Sequence, residues 1–153
     1  MTIKEEKRDL FTMPNDYALA HCISADFKLG AGIAREFDRR FNCRDNLFHV
    51  AHGDMTDVWD EGICGNCIVT HTKHIEPIIF NLITKRNYWD KPTLKTLEEA
   101  LDVMRFSLCL WGVKKVAMPR IGCGLDRLKW SDVKPLIAKV FSDTDIEIVV
   151  CIK

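Results

Sequence analysis

Two short glycine segments, an amine and a carboxylate are the parts of this chain that could do chemistry together. Gly30-Ala31-Gly32 leads from an apolar run into a helical pattern, and Gly122-Cys123-Gly124 follows a second apolar run ending at Met118. Glycine lets a backbone approach a phosphate closely and turn several N–H groups the same way. Neither segment is a P-loop, because no Gly-Lys-Ser/Thr follows, and neither spells G-x-G-x-x-G. One such turn is most often only a turn; two at equivalent places in a fold suit a diphosphate held between them. Lys85 closes the run Leu82-Ile83-Thr84-Lys85, and Asp126 follows the second glycine segment. An amine at the rim of a sheet can act as a nucleophile, and a carboxylate as a general acid or base. The plain alternatives are a solvated lysine where a strand meets a loop, and a loop aspartate paired with Arg127 or Arg120. Asp9, ahead of Leu10-Phe11, could accept a hydrogen bond from the exocyclic amine of a base, or serve only as a turn residue.

Cys64-Gly65-Asn66-Cys67, with His71 and His74, has the outline of a metal site. Only three residues separate Cys67 from His71, whereas structural zinc sites set their second pair a longer loop away. On a strand, Cys67 and His71 share a face while Cys64 lies before it, so four converging ligands are not expected. The motif precedes a strand rather than a helix N-terminus, which argues against an activated redox pair. No metal and no cofactor are expected, and the thiols read as structural. Trp59, Trp89, Trp111 and Trp130 follow no regular spacing and read as core and rim residues rather than a base-stacking platform. His21 and Cys22, in an apolar run, read as core.

The 153 residues carry 22 Lys+Arg against 22 Asp+Glu. Zero net charge removes the basic excess on which long nucleic-acid binding rests, yet a few backbone N–H groups can hold a small anion without it. Cysteines number seven, an odd count, and Met1–Asp9 is charged throughout. Together these point to reduced thiols, no secretory leader and an intracellular setting, in cytoplasm, nucleus or both. No apolar run approaches the ~20 residues needed to span a bilayer. The chain is expected to act as a monomer.

The elements that must position these residues follow from periodicity. Tyr17–Ile23 reads as a strand buried on both faces. Positions 33, 34, 37 and 41 are apolar at helical spacing behind the first glycine segment. A short helix at Asp45–Ala51 is expected within Asn42–Glu61, the least legible stretch. Asn66–Thr72 and Pro77–Ile83 read as two strands of a hairpin. Leu94, Leu97, Leu101, Met104 and Leu108 step by three and four, which predicts a helix stopped by Gly112. Val113–Met118 reads as a strand. Ser131 is expected to cap a helix running to Phe141, with Pro135 near its start. Ile146–Ile152 reads as a closing strand. Such alternation predicts a layered α/β domain with helices on both faces of the sheet, and the hairpin makes that sheet mixed. With no repeat or linker, one domain over residues 1–153 is the simplest account.

Ala20-His-Cys-Ile-Ser24, Leu29-Gly-Ala-Gly-Ile-Ala34, Leu82-Ile-Thr-Lys85 and Met118-Pro-Arg-Ile-Gly-Cys-Gly-Leu-Asp-Arg127 together resemble the macrodomain superfamily. More closely, they resemble its terminal ADP-ribose protein glycohydrolase branch, over essentially the whole chain. The resemblance implies a three-layer α/β/α sandwich with a mixed sheet and a pocket for ADP-ribose. It implies Asp9 and Leu10 at the adenine end. Gly30, Ala31, Gly32 and Ile33, with Arg120, Ile121, Gly122, Cys123, Gly124 and Leu125, are implied around the diphosphate and distal ribose. Thr84 and Lys153 join the ligand-binding set, and Lys85 and Asp126 are the implied catalytic pair. Arg8 stands where a glycine usually precedes the aspartate, and the stretch from Asn42 to Gly65 matches least. The implied activity removes terminal ADP-ribose from acidic side chains of ADP-ribosylated proteins. The rivals are a non-catalytic ADP-ribose reader, an ADP-ribose-1″-phosphate phosphatase and a nucleobase de-ADP-ribosylase using the same pocket. A metal or redox protein built on Cys64 and Cys67 is the rival outside that chemistry.

Overall fold

The apolar runs become strands of one sheet in a computed structural model that describes residues 1–52, 64–72 and 75–153. In chain order they are β1 (Thr2–Lys7), β2 (Ala18–Ser24), β3 (Cys67–Thr72), β4 (Ile75–Lys85), β5 (Lys115–Met118) and β6 (Glu147–Ile152). The helices are α1 (Gly32–Phe41), α2 (Cys43–His52), α3 (Leu94–Trp111) and α4 (Trp130–Phe141), and a 3-10 turn covers Leu10–Thr12. Trp59 and His74 lie outside the described residues, as does most of the stretch beyond His52 that the sequence left least legible.

The strands pair in the order β1-β6-β5-β2-β4-β3. Only β3 against β4 is antiparallel, so the sheet is mixed as expected. Helices α3 and α4 cover one face, where Leu101, Met104, Ile137 and Phe141 pack on Ala20, Phe80, Leu82 and Val116. Phe37 of α1 and Leu47 of α2 cover the other, over Leu19, Ile23, Ile79 and Ile83. This is the three-layer α/β/α arrangement. Because β2 lies inside the sheet between two layers, both of its faces are buried and mostly apolar, His21 and Ser24 excepted.

The long helix forms where the periodicity put it. Thr93 accepts from the Thr96 amide and the Thr96 side chain answers the Thr93 amide, a reciprocal cap. Gly112 ends the helix in the left-handed region, at φ 65°. Two boundaries differ from expectation. Val113 gives its amide to the Leu108 carbonyl at 2.9 Å, closing the helix instead of joining the sheet, so β5 starts at Lys115. Helix α4 starts at Trp130, one residue before the expected cap Ser131; Lys129 holds the N-cap position without a side-chain cap bond. The Trp130 indole donates to Glu5 Oε1 of β1 at 3.0 Å, so a tertiary contact anchors this start. Pro135 consequently sits inside α4 rather than in its first turn, and the Ser131 carbonyl lacks its intrahelical partner.

Under α1 a polar seam crosses the sheet. His21 is fully buried and its ring stacks on Phe37, with centroids 3.8 Å apart. The Asn81 amide nitrogen donates to the Ile68 carbonyl at 3.0 Å and to the Thr70 hydroxyl at 3.1 Å. That fixes the Asn81 oxygen as an acceptor, so the 2.6 Å contact to His21 Nε2 requires the proton on Nε2. Burial pushes His21 down to about 4 from its ordinary value. The unfolded chain therefore binds a proton that the folded chain refuses between about pH 6.5 and 4. Stability from this group is present above that window and is lost as pH falls through it. Chemical denaturation across the window should show a loss on the order of 2–3 kcal/mol, and His21→Gln should flatten that slope.

Candidate active site

Because β1, β6, β5, β2 and β4 run parallel, their carboxyl ends share one rim, and each is followed by a candidate segment. Asp9 follows β1, the Gly30 loop follows β2, Lys85 ends β4, the Gly122 loop follows β5 and Lys153 follows β6. Ligands in open α/β sheets bind at this edge.

Lys85 Nζ donates to Asp126 Oδ1 at 2.6 Å, with the two side chains only 14% and 15% exposed. Neither plain alternative describes them: the lysine is not solvated, and the aspartate pairs with it instead of Arg120 or Arg127. The strand register explains the approach. Ile23 pairs with Ile83 but Ser24 pairs with Lys85, so Thr84 is an extra residue, a bulge in β4. Thr84 is buried, with its hydroxyl beside the Cys22 thiol.

Asp126 is carried by a loop that holds itself. Cys123 N bonds Arg120 O at 3.2 Å, Leu128 N bonds Gly122 O at 2.8 Å, and Arg127 N bonds Gly124 O at 3.2 Å. Lys91 Nζ adds a bond to the Leu125 carbonyl at 2.8 Å. Gly122 sits at φ +72°, and a Cβ there would lie 2.9 Å from Leu128 Cδ1. The two glycine loops meet: a Cβ on Gly32 would lie 3.2 Å from Leu125 Cδ1. Ala31 is the N-cap of α1 and offers no side-chain cap bond. The first amides of α1, Gly32 and Ile33 among them, therefore remain available to an anion.

Beside these loops lies a groove of about 410 Å³, lined by Arg8, Asp9, Leu10, Phe11, Gly32, Ile33, Glu36, Pro119, Cys151 and Lys153. Another hollow of about 350 Å³ opens at the far end of the sheet, and no candidate residue lines it. Asp9 is the turn residue the sequence allowed, its Oδ1 accepting the Phe11 amide at 2.9 Å, and it also lines the groove. Arg8 is not among the residues at positive φ, so replacing the usual glycine introduces no left-handed strain. Its guanidinium folds onto the 3-10 turn, donating to the Thr12 carbonyl at 2.7 Å. Arg120 is turned toward β1, where Glu5 accepts from it at 3.3 Å and from Lys134 at 2.8 Å. Lys134, foremost, holds the Glu5 carboxyl below its ordinary range.

Phe11, Glu36, Pro119 and Cys151 line the groove without having been proposed as site residues, and Arg8, noted only as a departure from the usual glycine, lines it too. Two of them carried a signal. Glu36 lies three and four residues beyond Ile33 and Gly32 on one helix face, and Cys151 alternates with Lys153 along the strand.

Burial raises six of the seven thiols, and the seventh, Cys109, is exposed. Burial first, and the Asp126 charge second, push Cys22 up to about 12. Burial also raises Cys64 and Cys67. Protonated thiols are poor nucleophiles and poor ligands. Among the described residues no group of three or more His, Cys, Asp or Glu is placed to hold a metal ion, and no described helix is long and apolar enough to cross a membrane.

Gly122→Ala should cost about 1–2 kcal/mol for the left-handed backbone alone. Thermal or urea unfolding should register that loss, whereas Gly124→Ala, where a Cβ meets nothing within 4 Å, should leave stability nearly unchanged.

No protein-family model matches the chain. The human protein named ADP-ribose glycohydrolase OARD1 is 40% identical over 146 residues, covering 94% of this chain and 87% of that one. Among solved structures, the macrodomain of Thermus aquaticus DarG superposes with a TM-score of 0.83 at 20% identity, covering 99% of each chain. Thermosipho africanus DarTG, solved in complex with ADP-ribose, superposes with a TM-score of 0.78 at 18% identity over 99% of this chain and 42% of that one.

Proposed function

The chain belongs to the family of the ADP-ribose glycohydrolase OARD1, with a macrodomain fold, and from that premise we propose that it hydrolyses ADP-ribose conjugates. Its substrates are ADP-ribosylated proteins carrying a terminal ADP-ribose on an acidic side chain, and it acts on them as a monomer inside the cell. The observation that carries the hydrolytic reading over a reader module is the Lys85–Asp126 contact at 2.6 Å. A binding module needs the groove and the two loops; it has no use for a shielded amine against a carboxylate.

The pocket divides by chemistry. Asp9 can accept from the adenine amine at one end of the groove. The amides of α1 and of the Gly122 loop face the diphosphate, a role that needs no net positive charge. The distal ribose then lies at Lys85 and Asp126. Asp126 holds the proton that leaves Lys85 Nζ, and the neutral amine attacks the anomeric carbon. The N–C bond forms as the bond from that carbon to the acyl oxygen breaks, and the protein side chain departs as a carboxylate. Opening of the ribose ring converts the adduct to a Schiff base, the partner chemistry of an amine and an aldehyde. Water adds to the same carbon with Asp126 moving protons, the N–C bond breaks, and ADP-ribose leaves with Lys85 restored. Each step uses side chains of this chain and water alone.

Lys85→Ala and Asp126→Ala should bind ADP-ribose by calorimetry with near wild-type affinity and release none of it from a glutamate-modified protein. Full release by Lys85→Ala would remove the proposed nucleophile. Parallel assays on serine-linked and phosphate-linked ADP-ribose measure the leaving-group range. In the same titration, Asp9→Ala should weaken ADP-ribose binding roughly tenfold or more, through loss of a charged hydrogen-bond acceptor.

A further inference from the structure

We infer that Thr96, at the start of α3, is a positioning residue whose hydroxyl pins the β4 bulge that turns Lys85 toward Asp126. The inference rests on the Lys85–Asp126 reading above and adds a residue that touches no substrate.

Side chains alternate along a strand. Leu82 packs in the layer under α3 and α4, and Ile83 in the layer under α1 and α2. Without the bulge, Thr84 would fall on the first side and Lys85 would follow Ile83 into the apolar layer under α1. The extra residue instead pairs Lys85 with Ser24. By alternation, Ser24 shares the face of Cys22, and Asp126 lies near enough to Cys22 to disfavour its thiolate. One inserted residue therefore decides whether the amine meets its carboxylate.

A bulge interrupts the ladder and leaves backbone groups in need of other partners. The Thr84 carbonyl, on a buried residue, accepts from Thr96 Oγ1 at 2.7 Å. A hydroxyl has one hydrogen, and the Thr93 carbonyl, at 3.0 Å, is the farther acceptor. The same oxygen accepts the Thr93 amide at 3.1 Å, and the Thr96 amide is held by Thr93 Oγ1 at 3.1 Å. The cap of α3 and the bulge of β4 are thus joined through one side chain. On the other side of the bulge, Ala25 N bonds the Lys85 carbonyl at 2.9 Å.

Thr96→Val keeps the shape and removes the donor. Its expected effect is a fall in kcat of about tenfold or more, since small displacements of a reacting group are costly, with Kd for ADP-ribose unchanged. Thr96→Ser should restore kcat, and Thr96→Ala is a second donor-free variant should valine disturb folding. Thr93→Ala removes the other half of the cap but leaves the Thr96–Thr84 bond; it should lower Tm and spare kcat. The readout is release of ADP-ribose from a glutamate-modified protein, with Lys85→Ala alongside. An inactive Lys85→Ala beside donor-free variants at full kcat overturns this inference alone. Equal losses of kcat in Thr96→Val and Thr93→Ala overturn it too, because helix capping would then explain both. A fully active Lys85→Ala overturns the catalytic pair and this inference with it.

Discussion

The contact between Lys85 and Asp126 is the interaction around which the rim of this molecule is built. Taking an ammonium and a carboxylate out of water costs several kcal/mol each, and only close geometry offsets that cost. These two residues are 41 apart in the chain and meet at 2.6 Å. Each is therefore held from behind. β4 fixes the lysine through its pairing with β2, and the bonds of the Gly122 loop, with Lys91 reaching to Leu125, fix the aspartate. A proton donor and acceptor kept in contact with little competing water are what an amine nucleophile needs.

Charge is used sparingly elsewhere. Twenty-two basic residues balance twenty-two acidic ones, and several of the basic groups near the rim are already committed. Arg120 is paired with Glu5, Arg8 is bonded to the 3-10 turn, and Arg40 sits over the Phe11 ring at 4.5 Å and pairs with Glu36. On the proposed reading the diphosphate is met chiefly by backbone, the uncapped start of α1 and the turn at Gly122, with Lys153 in the groove wall beside them. Oriented amides of this kind hold an anion by direction rather than by net charge. Zero net charge is thus compatible with a phosphate-bearing ligand while still weighing against long nucleic acid.

The legible parts of the sequence were those where local chemistry and tertiary packing agree. The step of three and four from Leu97 to Leu108 had to be a helix, and its glycine stop was equally plain. The β2 strand was legible because a strand buried on both faces reads as a nearly continuous apolar run, interrupted here only by His21 before Ser24. Lys85 and Asp126 could be placed at a strand end and after a glycine loop, and that sufficed to bring them to one rim. What could not be read was any feature set by a distant partner. The start of α4 depends on an indole finding Glu5, and the groove wall depends on Phe11 and Pro119, which nothing local in the sequence marks. The bulge left no mark at all, because Leu-Ile-Thr-Lys would serve an uninterrupted strand equally well.

The groove and the Lys85–Asp126 pair occupy different parts of this rim. None of the ten residues lining the groove is Lys85 or Asp126, so affinity for the nucleotide end can persist whatever happens at the far end. The same scaffold could serve a reader or a hydrolase with its groove unchanged. What separates the two outcomes is the last residue of β4 and the single insertion that sets its direction. Likeness of fold alone is silent on turnover; hydrolysis is decided by the amine and the carboxylate themselves.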